Sequence, residues 1–240
     1  MNKAASQSAL RKSGKKKSGR SATSRSKPAW GENIQSTEEQ RQAREAILFE
    51  TAARLFNRYG FHGTSMAQLT EELGLTKGAL YYYVNDKSDL LYQLHIRSAR
   101  ATRLAHDRGV AEGRNGYERI HLVVKHYIKT VTTSPTETFI LMEDGALKPE
   151  QADEIMKLRK QLEYDLRKCI QEGIDDGSIA PCDPKMASFA IVGAMAWVSK
   201  WYDPAMPWTS DQVSSGMAEL LSRMIAANPV PALPTDTGQS

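Results

Sequence analysis

Cysteine is nearly absent from this chain: there are two in 240 residues, Cys169 and Cys182, and they form no CxxC or metal-ligand spacing. CxxC-type redox chemistry and zinc modules are therefore excluded. Long hydrophobic runs are missing too. No apolar stretch approaches the roughly 18 residues that a membrane helix needs, and the first residues carry no apolar segment of the signal-peptide kind, so a cytoplasmic protein with no membrane association is expected. Catalytic signatures are equally scarce. His95, His106, His121 and His126 are present and Glu143 adjoins Asp144, but there is no HExxH, GxSxG, glycine-rich phosphate loop or spaced ligand set. Neither an enzyme nor a bound metal or cofactor is expected. Alternating strand-like segments are few, which leaves an all-α chain of about nine helices.

What the sequence does contain is a pair of short helices joined by a glycine turn, in the segment TSMAQLTEELGLTKGALYYYVNDKSDLL, residues 64–91. Thr64 and Ser65 offer N-cap hydroxyls, and Gln68 stands three residues after Ser65 as a capping box requires. Met66, Leu69 and Leu73 then recur at helical spacing. Gly74 follows, a residue able to take the left-handed conformation that ends a helix, and Leu75 behind it suits the corner between two helices. Thr76 caps a second helix over about residues 77–83. Its outward side presents Lys77, Gly78, Tyr81 and Tyr82: a lysine beside a glycine that permits close approach, and tyrosines whose hydroxyls can reach a phosphate. A helix of this size fits the DNA major groove. Asn85 or Asp86 caps the next helix, and Lys87 in its first turn runs against the helix dipole, as a cation with an anion to meet would. Tandem short helices with a glycine turn also occur in helical proteins that never touch DNA, so spacing by itself leaves packing open as the alternative.

The run Gly78, Leu80, Tyr81, Tyr82, Tyr83, Asn85, Asp86 and Lys87 resembles the signature of the TetR family of bacterial transcriptional regulators. The helix ahead of it, residues 44–59, carries Leu48, Ala52, Leu55, Phe56 and Tyr59 on one stripe and leads into the family-like link Gly60, Phe61, Gly63 and Thr64. The resemblance covers roughly residues 41–103, with the helix-turn-helix at about 64–84. Thr70 replaces the usual alanine and Val84 the usual aromatic; both are expected to face inward. The resemblance implies that Thr64, Ser65, Tyr82 and Lys87 hold phosphates, while Thr76, Lys77, Gly78 and Tyr81 approach base edges or the flanking backbone of double-stranded operator DNA. Lys77 is the first choice for direct readout, since lysine donates to guanine O6 and N7.

Charge divides the chain unevenly. Residues 1–36 hold nine Lys or Arg against one acid, a net +8, so the overall +4 leaves −4 for residues 37–240. The segment SGKKKSGRSATSRSK has almost no apolar residues and is expected to be disordered when free. Three uses remain open for it: an arm along the DNA backbone or minor groove, a source of nonspecific affinity, or a solubilising extension. A second disordered tail is expected at 229–240.

Residues 104–240 hold 14 basic and 19 acidic side chains, which argues against a second DNA reader. Helical stripes continue there: Ile120, Val123, Val124, Tyr127, Ile128 and Val131, then Ile155, Leu158, Leu162, Leu166, Cys169, Ile170 and Ile174 in a long helix after Pro149 that breaks near Gly173 and Gly177. Residues 185–202, dense in Ala, Gly and Met, and residues 212–226, with Val213, Met217, Leu220, Leu221, Met224 and Ile225, are the expected homodimer surface, though packing within one chain is the alternative. Residues 104–228 thus read as an effector-binding and dimerisation domain. The resemblance implies a small-molecule pocket there, for which Tyr127, Phe139, Met142, Met195, Trp197 and Trp201 are candidates alongside a plain core role. The run WVSKWYDP at 197–204 is similar to family members that sense acyl-CoA thioesters or related lipophilic catabolites, with Lys200 a candidate for their phosphates. The expected function is a dimeric repressor released from a palindromic operator by such an effector; the alternative is an architectural protein that binds many chromosomal sites without an inducer.

Overall fold

The computed structural model describes residues 37–134 and 145–227, so the basic tail, the C-terminal tail, Phe139 and Met142 lie outside the described residues. Among the described residues eight α-helices follow one another: α1 Thr37–Gly63, α2 Met66–Leu73, α3 Lys77–Tyr81, α4 Lys87–Glu112, α5 Gly116–Thr133, α6 Pro149–Asp175, α7 Pro184–Trp201 and α8 Ser210–Arg223. The expectation of about nine applied to the whole chain. No strand is present among the described residues, only an isolated antiparallel bridge between Ile179 and Ala226 that ties the α6–α7 loop to the end of α8.

The helix boundaries follow from their capping residues. Ser65 Oγ accepts from Gln68 N–H at 3.1 Å to start α2, and Gly74, at φ 63°, ends it in the left-handed conformation. Thr76 Oγ1 accepts from Ala79 N–H to start α3, Asp86 Oδ1 from Asp89 N–H to start α4, and Asn115 Oδ1 from Glu118 N–H to start α5.

Two cores result. The first gathers Leu48, Phe49, Leu55 and Phe56 of α1 with Leu69, Leu80, Leu90 and Leu94, and Val84 is buried in it as expected. The second gathers Tyr117, Ile120, Val124 and Ile128 of α5 with Leu166 and Ile170 of α6, Ile191 and Val198 of α7, and Leu221 of α8. Each fully buried Leu, Ile or Phe contributes about 1.5–3 kcal/mol. Helix α4 belongs to both: Leu90, Leu91 and Leu94 enter the first core and Ala105 the second. Position 103/104, where the composition changes, therefore lies inside one continuous helix. The start of α6 also reaches the first unit, through buried Ala146, a 2.7 Å hydrogen bond from Tyr92 Oη to Glu154, and Lys148 paired with Asp86 at 3.2 Å.

Candidate nucleic-acid interface and internal cavity

Six of the eight residues expected at DNA are exposed in and beside α2 and α3: Ser65, Thr76, Lys77, Gly78, Tyr81 and Tyr82. Tyr82 is 76% exposed, with its ring edge-on to half-buried Tyr83 at 5.2 Å. A side chain at Gly78 would meet nothing within 4 Å, so internal packing does not require this glycine; it leaves the helix surface open to close approach from outside. With Leu80 buried beneath, α3 is anchored on one face and bare on the other.

Thr64 and Lys87 are placed differently from these six. Thr64 is 1% exposed, and its hydroxyl donates to the carbonyls of Gly60 and Leu55 at 2.9 and 3.3 Å, so it closes the end of α1 instead of facing a phosphate. Lys87 Nζ donates to the carbonyls of Phe61 and Thr64, both at 2.8 Å, and lies 4.2 Å from the centre of the Phe61 ring. Without DNA, this lysine meets the carbonyl-rich end of α1, a partial negative charge supplied by the fold.

A cavity of about 150 Å³ lies between α4, α5, α6 and α7. Apolar side chains such as Val123, Ile155, Leu162 and Leu166 make most of its wall, and Tyr127 and Met195, both expected there, line it. Trp197 and Trp201 do not. Met195 and Trp197 are two residues apart on a helix, about 200° around its axis, so with Met195 turned inward Trp197 must point out, and it is 64% exposed. Trp201 packs half-buried against the C-terminal core, and Lys200 lines neither this cavity nor the groove beside it.

The polar groups of the cavity come from positions without a motif. His95 is 3% exposed; its Nδ1 lies 3.4 Å from an Arg159 nitrogen. Guanidinium only donates, so Nδ1 accepts and the ring proton sits on Nε2, which is buried and without a hydrogen-bond partner among the described residues. Burial, and then the Arg159 charge, push the His95 pKa down to about 4, which keeps the imidazole neutral. Burial lowers the Arg159 pKa and lifts that of Tyr127 to about 12. The arrangement offers an N–H donor in an apolar chamber. Its sequence signal was faint: Arg159 interrupts the stripe Ile155, Leu162, Leu166, and His95 continues Leu91 and Leu94 on the buried side of α4.

Comparison with known proteins fits this geometry. Residues 48–94 match the model for bacterial regulatory proteins of the tetR family, and residues 113–225 match the tetracyclin repressor-like C-terminal domain. The HTH-type transcriptional regulator YhgD of Bacillus subtilis (strain 168) is 20% identical over 179 residues, covering 74% of this chain and 93% of YhgD. Among solved structures, AibR in complex with isovaleryl coenzyme A and operator DNA is 28% identical, with a TM-score of 0.64 over 74% of this chain and 97% of AibR. KstR2 of Mycobacterium tuberculosis, at 20% identity, shares the fold, with a TM-score of 0.69 over 83% of this chain and 99% of KstR2. The chain belongs to the TetR family, whose members are DNA-binding transcriptional regulators and not enzymes.

Proposed function

We propose that this regulator is a cytoplasmic repressor that binds a palindromic operator as a homodimer and is released by a small lipophilic effector, an acyl-CoA thioester. Ser65 and Tyr82 hold phosphates in this reading, and Thr76, Lys77, Gly78 and Tyr81 meet base edges or the adjoining backbone. The observation that carries it is the cavity, because one of its walls is α4. His95, Ser98, Ala99 and Thr102 line it, and the same helix begins at Lys87, against the reader. A group that fills the chamber pushes on the element that orients α3. A volume of about 150 Å³ suits a short branched acyl chain; apolar cavities of that size take a benzene-sized guest. His95 Nε2–H then donates to the thioester carbonyl. The relative AibR, crystallised with isovaleryl coenzyme A and operator DNA, supports the ligand class.

The test is binding of the purified protein to fragmented DNA of its host, sequenced at near-physiological salt, with and without isovaleryl-CoA. A few palindromic sites that empty on adding the thioester are expected. Hundreds of dispersed sites indifferent to it would replace this reading with the architectural one.

A further inference from the structure

Beside the cavity, an open groove runs between α6 and α7, and the two share Arg159, Glu163 and Val192 in their walls. Its charge is out of keeping with its surroundings. The domain as a whole is acidic, with 14 basic and 19 acidic side chains in residues 104–240, yet the groove collects Lys157, Arg159, Lys160, Arg167 and Lys185 against the single acid Glu163. Cations elsewhere in the domain are mostly neutralised: Arg108, Arg114, Arg119, Lys129, Lys148, Lys168 and Arg223 each pair with a carboxylate at 3.8 Å or closer. Lys157, Lys160, Arg167 and Lys185 have no such partner among the described residues. Four cations without carboxylate partners along one groove give it a positive field, which an anion of several charges neutralises.

Two aromatic rings stand in the same groove. Tyr164 is 52% exposed and Phe189 55%, with Arg167 5.1 Å from the centre of the first ring and Lys185 5.9 Å from that of the second. Flat exposed rings flanked by cations are a stacking platform for a base joined to phosphates. Along α6, Lys157 to Arg167 span about 15 Å of helix axis, room for an extended ligand.

We infer that this α6–α7 groove binds the phosphate-rich nucleotide of coenzyme A, its adenine against Tyr164 or Phe189 and its phosphates on Lys157, Lys160, Arg167 and Lys185. The inference rests on the thioester reading above and deepens it. The shared wall at Arg159 and Glu163 is where the pantetheine arm passes from the groove into the chamber that takes the acyl group.

Titration calorimetry with isovaleryl-CoA, S-isovaleryl-pantetheine, adenosine 3′,5′-bisphosphate and tripolyphosphate tests it. Three proteins are compared: the full chain, K157E/K160E, and K168E as a control of equal sign on the same helix outside the groove. The wild type should bind isovaleryl-CoA roughly tenfold or more tightly than the pantetheine thioester, a gap typical of two or more charge-assisted contacts. K157E/K160E should close the gap while K168E keeps it, and operator binding without effector should be the same in all three. Equal affinity of the two thioesters for the wild type, or a gap that survives in K157E/K160E, overturns the groove assignment. So does tripolyphosphate binding as tightly as the bisphosphate nucleotide, since the rings would then contribute nothing. If neither thioester binds, the effector reading falls and the nucleotide alone decides. Binding of adenosine 3′,5′-bisphosphate that K157E/K160E abolishes sustains the groove, and no binding overturns it.

Discussion

Lys77 and Lys87 each stand at the first position of a helix, and their surroundings separate them. Lys77 is exposed above a bare helix face, so Lys77→Ala is expected to relax base preference at one operator position, at about 1–3 kcal/mol of discrimination, in a binding assay across single-base operator variants. Lys87 is bound to two carbonyls of the α1 end. Lys87→Ala should therefore melt the free protein at a lower temperature, with a loss of about 2 kcal/mol, and leave the salt dependence of DNA binding unchanged. A salt slope lower by one unit would restore Lys87 to the phosphates. Sequence pattern could not tell the two apart, because the signature marks a lysine without saying which way it turns. His95 makes a second test. Its pKa is about 4 in the fold against an ordinary 6.5, so between those values the unfolded chain takes up a proton that the native one refuses. Stability is then complete above about pH 6.5 and falls as pH drops, by up to about 1.4 kcal/mol per unit, with no further loss below pH 4. Urea unfolding at pH 7 and pH 5 should give His95→Leu a smaller loss than the wild type; equal losses would mean that His95 is not held neutral.

Elements were legible where one local interaction sets a boundary. The Ser65, Thr76 and Asp86 caps and the Gly74 turn were all written in residue type, and so were the stripe of α5 and that of α1 apart from Tyr59, which is 46% exposed. Trp197 was misplaced because counting residues in a tail motif ignored the 100° that each adds around a helix. The buried Arg159 and His95 escaped because a polar residue on an apolar stripe carries meaning only once the facing helices are known. Close approach between helices was equally silent. A Cβ added at Gly109 of α4 would meet the Val123 backbone of α5 at 2.4 Å, so the two helices touch through the absent side chain. Gly109→Ala gains helix propensity worth about 1 kcal/mol but must push α5 away from α4, at a cost of about 1–3 kcal/mol. The net expectation is a lower melting temperature together with altered operator affinity, since α4 also carries the reader. A variant as stable as the wild type would mean that the helix pair yields without strain.

The proposed dimer belongs to the whole molecule. Helices α7 and α8 bury one side in the C-terminal core and leave apolar groups exposed elsewhere: Met186 and Trp197 on α7, Leu220 on α8 and Met224 just past its end, the last two 64% and 59% exposed. Gly193 and Gly216 lie among them, and a Cβ at either would meet nothing within 4 Å. Such a surface is smooth enough for a second pair of helices to approach closely and form a four-helix bundle. A two-fold axis makes each substitution count twice, so Leu220→Asp places two charges in one interface. Dimer dissociation should strengthen roughly a hundredfold or more, read by sedimentation, while the helical circular dichroism stays unchanged. Affinity for a full palindrome should then collapse toward that for a half-site, because the second reader is no longer delivered by the first. A half-site affinity that fell equally would place the damage in the reader, and a variant still dimeric at micromolar concentration would assign the exposed stripe of α7 and α8 to some other partner.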